Sequence, residues 1–183
     1  MQIYTHENQF TGSACALALG MFDGVHLGHQ KLIRTAVSLA RAAGVPAVVD
    51  TFDAHPLQAL FPERAPQQLL TNEQRAERIS QLGVDVLVMR PFTREYAAQP
   101  PEIFLRELCA ALHPVDIVVG FNYTFGSRGA GNAELLRKMA DELGYRLTVI
   151  EPVTAGNEPV SSTRIRRLIA EGDLAGAEEL LGK

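Results

Sequence analysis

The segment Gly20-Met21-Phe22-Asp23-Gly24-Val25-His26-Leu27-Gly28-His29 carries the strongest chemical signal in this sequence. Glycines at positions 20, 24 and 28 permit close backbone approach and positive φ. The turn follows an apolar run and leads directly into residues of helical period. Helix amides and the positive end of the helix dipole then face whatever lies in the turn. His26 and His29 are three residues apart, which puts both imidazoles on one side of a helical turn. Two imidazole donors beside helix amides suit an anionic oxygen that gains charge during phosphoryl or nucleotidyl transfer. A phosphate site ranks first. A metal site ranks second, because His-x-x-His supplies two ligands and a closed site wants more. A chance pair of surface histidines ranks third, since it leaves the glycines unexplained.

Three further segments join it. Val160-Ser161-Ser162-Thr163-Arg164-Ile165-Arg166 opens a late helix, and Ser161 or Ser162 is a natural N-cap. Hydroxyls at a helix start with Arg164 and Arg166 close behind also make an anion site, and a triphosphate needs holding from two sides. Gly120–Asn132 alternates aromatic with polar residues. It fits either a loop that stacks on a planar ring while Asn122 and Thr124 hydrogen-bond, or a Gly-rich turn whose aromatics pack inward. Thr51-Phe52-Asp53-Ala54-His55-Pro56 reads as a mobile substrate loop or as a plain connection.

These segments need a frame. Apolar runs at Ala14–Leu19, Val45–Asp50, Val84–Met89 and Asp116–Val119, with a fifth at Arg146–Ile150, suit strands buried on both faces of a parallel sheet. Between them the spacing predicts helices. Gln30–Ala43 carries an apolar stripe at Leu32, Ile33, Ala36, Val37, Leu39 and Ala40, closed by Gly44. Thr71-Asn72-Glu73-Gln74 is a capping box for a helix to Leu82. Pro100 and Pro101 start another, with Ile103, Phe104, Leu105, Leu108 and Leu112 as its apolar side, and Ala133–Leu143 ends at Gly144. Ser161–Gly182 reads as two short helices, the second capped by Asp173. The expected fold is a doubly wound α/β domain: a mainly parallel five-stranded sheet with helices on both faces. Its ligands belong beyond the carboxyl ends of the strands, near the switch in strand order.

Composition sets outer bounds. The chain has 183 residues, 46% of them hydrophobic and 21% charged, which suits a globular domain with a real core. A formal net charge of -4 argues against a broad nucleic-acid footprint but not against a nucleotide, which a few amides and arginines can hold. Cys15 and Cys109 lack metal-type spacing and read as buried small side chains. No signal-peptide pattern opens the sequence and no apolar run reaches the length of a membrane span, so a cytoplasmic location is expected.

His26-Leu27-Gly28-His29 and Ser161-Ser162-Thr163-Arg164-Ile165-Arg166 resemble the HxGH and SSTxxR signatures of the nucleotidyltransferase superfamily. The fuller set is Gly20–Gln30, Thr51–Pro56, Leu70-Thr71, Leu82–Asp85, Pro91-Phe92, Val119–Gly126 and Val160–Arg166. It resembles the FMN adenylyltransferase (FAD synthase) module of bacterial bifunctional riboflavin kinase/FAD synthetases, and runs in order through nearly the whole chain. The resemblance implies a Rossmann-like fold over residues 1–183, with 161–182 as a helical extension. It implies that ATP and FMN give FAD and pyrophosphate with Mg²⁺ held mainly by phosphate oxygens and water, and it names no protein metal ligand. By matching positions, His26, His29 and Arg166 are the expected catalytic residues, and Ser162 and Thr163 clamp the ATP phosphates with Arg166. Phe22, Asp23, Gly24 and Gly28 shape the nucleotide turn, and Asp53, His55, Asn122, Thr124 and Arg128 lie on the FMN side. Two departures stand out. Ala54 replaces a usual proline, and the sequence ends at Lys183, where the family normally continues into a riboflavin kinase barrel, so no kinase activity is expected of these residues. Two rivals remain at this point: another phosphorylated acceptor, or a flavin- or nucleotide-binding module without chemistry.

Overall fold

The computed structural model describes residues 1–182. Strands and helices alternate: β1 (Gln2–Tyr4), β2 (Cys15–Leu19), α1 (Leu27–Ala43), β3 (Ala47–Phe52), α2 (Pro56–Leu60), α3 (Asn72–Ser80) and β4 (Val86–Arg90). They continue as α4 (Arg94–Ala97), α5 (Pro101–Leu112), β5 (Pro114–Gly120), α6 (Ala133–Leu143) and β6 (Arg146–Ile150). A hairpin of β7 (Thr154–Ala155) and β8 (Glu158–Pro159) follows, then α7 (Ser162–Ala170) and α8 (Leu174–Leu180).

The sheet has six strands in the order β1-β4-β3-β2-β5-β6, and every neighbouring pair is parallel. All five strands expected from apolar runs are present. The sixth, β1, escapes a hydropathy reading because it is three residues long and lies at an edge with Ile3 57% exposed. β2 is buried throughout, as a central strand covered on both faces must be. One face packs against α5 and α6 through Leu105, Leu108, Leu112 and Leu136, and the other against α1 and α3 through Ile33, Ala36 and Ile79. The predicted apolar side of α5 needs one correction: Ile103 is 46% exposed, because the buried arc is Phe104, Leu105, Leu108, Cys109 and Leu112.

Helix ends follow the local chemistry. Thr71 and Gln74 form the reciprocal capping box, Asp173 caps α8 by accepting from the Gly176 amide, and Gly44 and Gly144 close α1 and α6 in the left-handed region. Strand order runs outward from β2 in both directions, through β3 and β4 on one side and β5 and β6 on the other. The reversal lies between β2 and β5, so the crevice at their carboxyl ends is the place for a ligand.

Candidate active site

Two segments leave that crevice. After β2, residues 20–26 form a tight turn in which Phe22, Gly24 and Val25 have φ of 50°, 82° and 45°. A left-handed Phe and a left-handed β-branched Val are rare, and such strain collects at functional sites where the surroundings over-determine the backbone. Gly24 cannot be replaced cheaply: besides its φ, a Cβ there would lie 2.8 Å from Leu69 Cδ1. The surroundings that hold the turn are specific. Thr51 Oγ1 and Arg75 Nη1 both donate to the Met21 carbonyl, at 3.0 and 2.9 Å. Gln30 donates to the carbonyls of Val25 and Leu181, tying the end of α8 to the turn.

His26 caps α1, its Nδ1 accepting the His29 amide at 3.3 Å. That bond assigns the His26 proton to Nε2. The two imidazoles stack with centroids 3.6 Å apart, and Phe22 meets His29 edge-on at 5.3 Å. Gly28 leaves room for this: a Cβ there would come within 3.2 Å of the His26 ring. Burial lowers the His26 imidazole to about 4. Burial, then His26 and Arg75, holds His29 well below the ordinary histidine value. Both rings are neutral at pH 7 and offer N–H donors, not protons. His29 Nδ1 is buried without a protein partner among the described residues.

Two cavities open from this point. The smaller, about 300 Å³, is lined by Asp23, His26, Gly28, Ser162, Thr163 and Arg166, and by Ile150 to Val153, Pro159 and Val160 on either side of the β7–β8 turn. The larger, about 490 Å³, takes Phe52, Phe92, Tyr96, Phe104, Tyr123 and Phe125 as aromatic walls, with Asn122, Thr124 and Arg128 also lining it. They share Met21, His29, Leu32, His55, Gly120 and Asn122. His29 therefore stands at the junction.

The remaining expected residues sort unevenly. Phe22 is fully buried and lines the larger cavity. His55 borders both cavities, yet its Nδ1 caps α2 by accepting the Leu57 amide at 3.1 Å, so this stretch is an ordered helix start instead of a loose loop. Asp53 lines neither cavity; its amide and carbonyl bond to Arg90 and Gln68. Arg128 holds a φ of 56° in a loop closed by the Phe125–Gly131 bridge. At the start of α7, Ser161 is the N-cap, Ser162 Oγ donates to the Asp23 carbonyl at 2.9 Å, and Thr163 is exposed at the cavity edge. Arg166 pairs with the Asp23 carboxylate and donates to the Gln67 carbonyl at 2.7 Å. Arg164 does not join the anion site. It donates to the carbonyls of Ala155 and Glu158 at 3.0 and 2.9 Å and so straps the hairpin that walls the smaller cavity.

Two residues were not expected. Arg75, 2% exposed, donates to Met21 and to the Phe52 carbonyl at 2.5 Å, bracing the turn against the end of β3. Asp50, 5% exposed, lines the larger cavity and pairs with Arg90. A charged residue in an apolar helix stripe or inside a strand is the signal that would have found each of them. Among the described residues no group of three or more His, Cys, Asp or Glu could hold a metal ion, and no helix is long and apolar enough to cross a membrane.

The chain matches the family model described as FAD synthetase over residues 9–164. It is 39% identical over 185 aligned positions to a bifunctional riboflavin kinase/FMN adenylyltransferase of Listeria monocytogenes, covering 98% of this chain and 59% of that protein. It is 34% identical to a Listeria monocytogenes protein named FAD synthetase, covering 92% of this chain and 69% of that one. A Streptococcus pneumoniae crystal structure described as a macrolide-efflux protein superposes with a TM-score of 0.87 at 32% identity, over 99% of this chain and 61% of its own. The chain thus spans little more than half of the first of these relatives. With the family match extending from the N-terminal 3-10 turn into α7, this chain belongs to the FAD synthetase family.

Proposed function

We propose that this chain transfers the adenylyl group of ATP to FMN, giving FAD and pyrophosphate. The observation that carries the reading is the pair of cavities meeting at His29, one edged by two helix N-termini and one walled by aromatic rings. The smaller suits a nucleoside triphosphate and the larger a planar ring, so a phosphate on that ring would meet the α-phosphorus at the junction. The FAD synthetase match and the relatives' names support the same substrates.

In this reading an FMN phosphate oxygen attacks the α-phosphorus in line, the bond to the β-phosphate bridging oxygen breaks, and pyrophosphate leaves. No covalent enzyme intermediate forms and no proton need be transferred. The His26 Nε2–H and the His29 imidazole, both neutral, donate hydrogen bonds to oxygens that gain charge as the bond to pyrophosphate breaks. Ser162 and Thr163 at the start of α7 hold phosphate oxygens from the opposite side. Arg166 would exchange the Asp23 carboxylate for a phosphate oxygen when the triphosphate enters. Asn122, Thr124 and Arg128 border the FMN side, with His55 at the junction. Mg²⁺ would be held mainly by the triphosphate oxygens and water and would neutralise part of their charge. Residues 1–183 act as one adenylyltransferase unit with α7 and α8 as its extension, in the cytoplasm where both substrates are available.

The test is FAD formation and pyrophosphate release from ATP and FMN with Mg²⁺. His29→Ala should lower kcat by about 100-fold or more, the usual cost of removing one charge-stabilising donor. FAD binding without pyrophosphate release would mark a binding module instead. Turnover within a few-fold of wild type in His29→Ala would remove the role given to that residue.

A further inference from the structure

Aromatic rings wall much of the larger cavity, and among the described residues Asp50 is the one carboxylate that lines it. A carboxylate in such surroundings is costly unless paired, and Arg90 on the neighbouring strand pairs with it. Arg90 is fixed in turn: it reaches Glu7 at 2.9 Å, and its guanidinium lies over the Tyr96 ring, 5.6 Å from the centroid. Tyr96 lines the same cavity, and its hydroxyl is buried with no hydrogen-bond partner among the described residues. Burying an unpaired hydroxyl is costly, so an orphan on a residue that lines a cavity marks a place where a ligand atom can repay the loss. Both members of the pair are buried, and Asp50 nevertheless lines the same cavity as Tyr96.

We propose that Asp50 and the Tyr96 hydroxyl are the polar recognition pair of the acceptor cavity. The Asp50 carboxylate accepts a hydrogen bond from a donor on the bound flavin, and the Tyr96 hydroxyl pairs with a polar atom near that donor. Arg90 acts as a positioning residue that fixes the carboxylate without touching the ligand. This rests on the FMN reading above. FMN carries two kinds of donor that fit, the imide N–H of its ring and the hydroxyls of its ribityl chain. A site that hydrogen-bonds a donor rejects analogues that lack it, because the buried acceptor is then left unpaired.

The test compares the wild-type chain with Asp50→Asn and Tyr96→Phe. The acceptors are FMN, its N3-methyl derivative, and a flavin phosphate whose ribityl hydroxyls are replaced by hydrogen. KM for the acceptor and KM for ATP are read separately. Both substitutions should raise the FMN KM, Asp50→Asn by roughly tenfold or more, and leave the ATP KM within twofold. The analogue lacking the matched donor should be poor for wild type and lose that handicap in Asp50→Asn. Loss with the N3-methyl compound assigns the ring edge, and loss with the deoxygenated chain assigns the ribityl group. Analogue penalties equal in wild type and Asp50→Asn would overturn the proposal. If Asp50→Asn does not fold, Tyr96→Phe decides, because it keeps the ring beneath Arg90; an unchanged FMN KM in that variant overturns the proposal too. If wild type forms no FAD, the reaction reading fails by itself. Direct FMN binding to wild type and Tyr96→Phe, followed by flavin fluorescence, then decides the recognition pair.

Discussion

The two histidines occupy one stacked arrangement for two reasons that reinforce each other. His26 must keep Nδ1 unprotonated to cap α1, and two imidazolium rings would not tolerate centroids 3.6 Å apart. Burial adds to this by moving His26 to about 4. The consequence for stability has a definite sign. An unfolded histidine binds its proton near 6.5, whereas the folded His26 resists it until about 4. Between those values the unfolded chain holds more protons, so stability is complete above about pH 6.5 and is lost as pH falls toward 4. The loss from this group should approach about 3 kcal/mol, at 1.36 kcal/mol per pH unit. His26→Asn keeps a side chain that can cap the helix and removes the titration. Urea unfolding at a series of pH values should therefore give a shallower acid slope for His26→Asn than for wild type, and parallel slopes would contradict the neutral-imidazole account.

The elements were readable wherever one local rule acted alone. The stripe from Leu32 to Ala40 predicted α1, and Thr71 with Gln74 predicted the start of α3. The apolar runs marked β2 to β5 as inner strands; β6, at the far edge and only half-buried, still registered through Leu147, Val149 and Ile150, whereas β1 carries too little apolar surface to register. The two short helices α2 and α4 and the β7–β8 hairpin are two to five residues long, shorter than the period a pattern needs. Sequence spacing also could not say how charged side chains would be spent. Arg164 and Arg166 both follow the α7 cap, yet one straps the hairpin and the other holds Asp23, a division that depends on elements distant in sequence. Arg75 is the clearest case of an element acting through one side chain. It lets α3 hold the strained turn after β2 and the end of β3 together, through two backbone carbonyls. Arg75→Met would leave both carbonyls without that donor, at about 1–3 kcal/mol for each buried group. Denaturant unfolding should record a loss of about 2 kcal/mol or more. A loss below 0.5 kcal/mol would mean that Thr51 alone suffices to hold Met21.

At the level of the whole molecule, the topology places the chemistry. Reversal of strand order between β2 and β5 splits their outgoing loops, and the gap becomes the junction at which His29 stands. The HxGH turn and the α7 start are 135 residues apart from His26 to Ser161, yet Asp23 links them by accepting from both Ser162 and Arg166. The need to hold a triphosphate on two sides predicted two phosphate-binding segments, but not that Asp23 would tie one to the other. The meeting of two separate cavities was not predicted either, because it depends on how the loop from Gly120 to Gly131 folds back against the start of α5, where Phe125 packs on Phe104 and the Ser127 amide donates to the Gln99 carbonyl. A molecule built this way should be stabilised by each substrate through its own cavity. A ligand that binds only the folded state at 100 times its Kd adds about 2.7 kcal/mol, which for a chain of this size raises Tm by roughly 5–10 °C. ATP with Mg²⁺ and FMN should each produce such a rise in thermal unfolding. The two should protect together when a non-hydrolysable ATP analogue prevents turnover, because each has a cavity of its own and the two meet at a small set of shared residues. Pantetheine phosphate and nicotinate mononucleotide, which lack a ring large enough for the aromatic walls, should leave Tm within about 1 °C of the unliganded chain on the same relation. Equal protection by either would point to an acceptor other than a flavin, since the aromatic cavity would then be accepting ligands that cannot fill it.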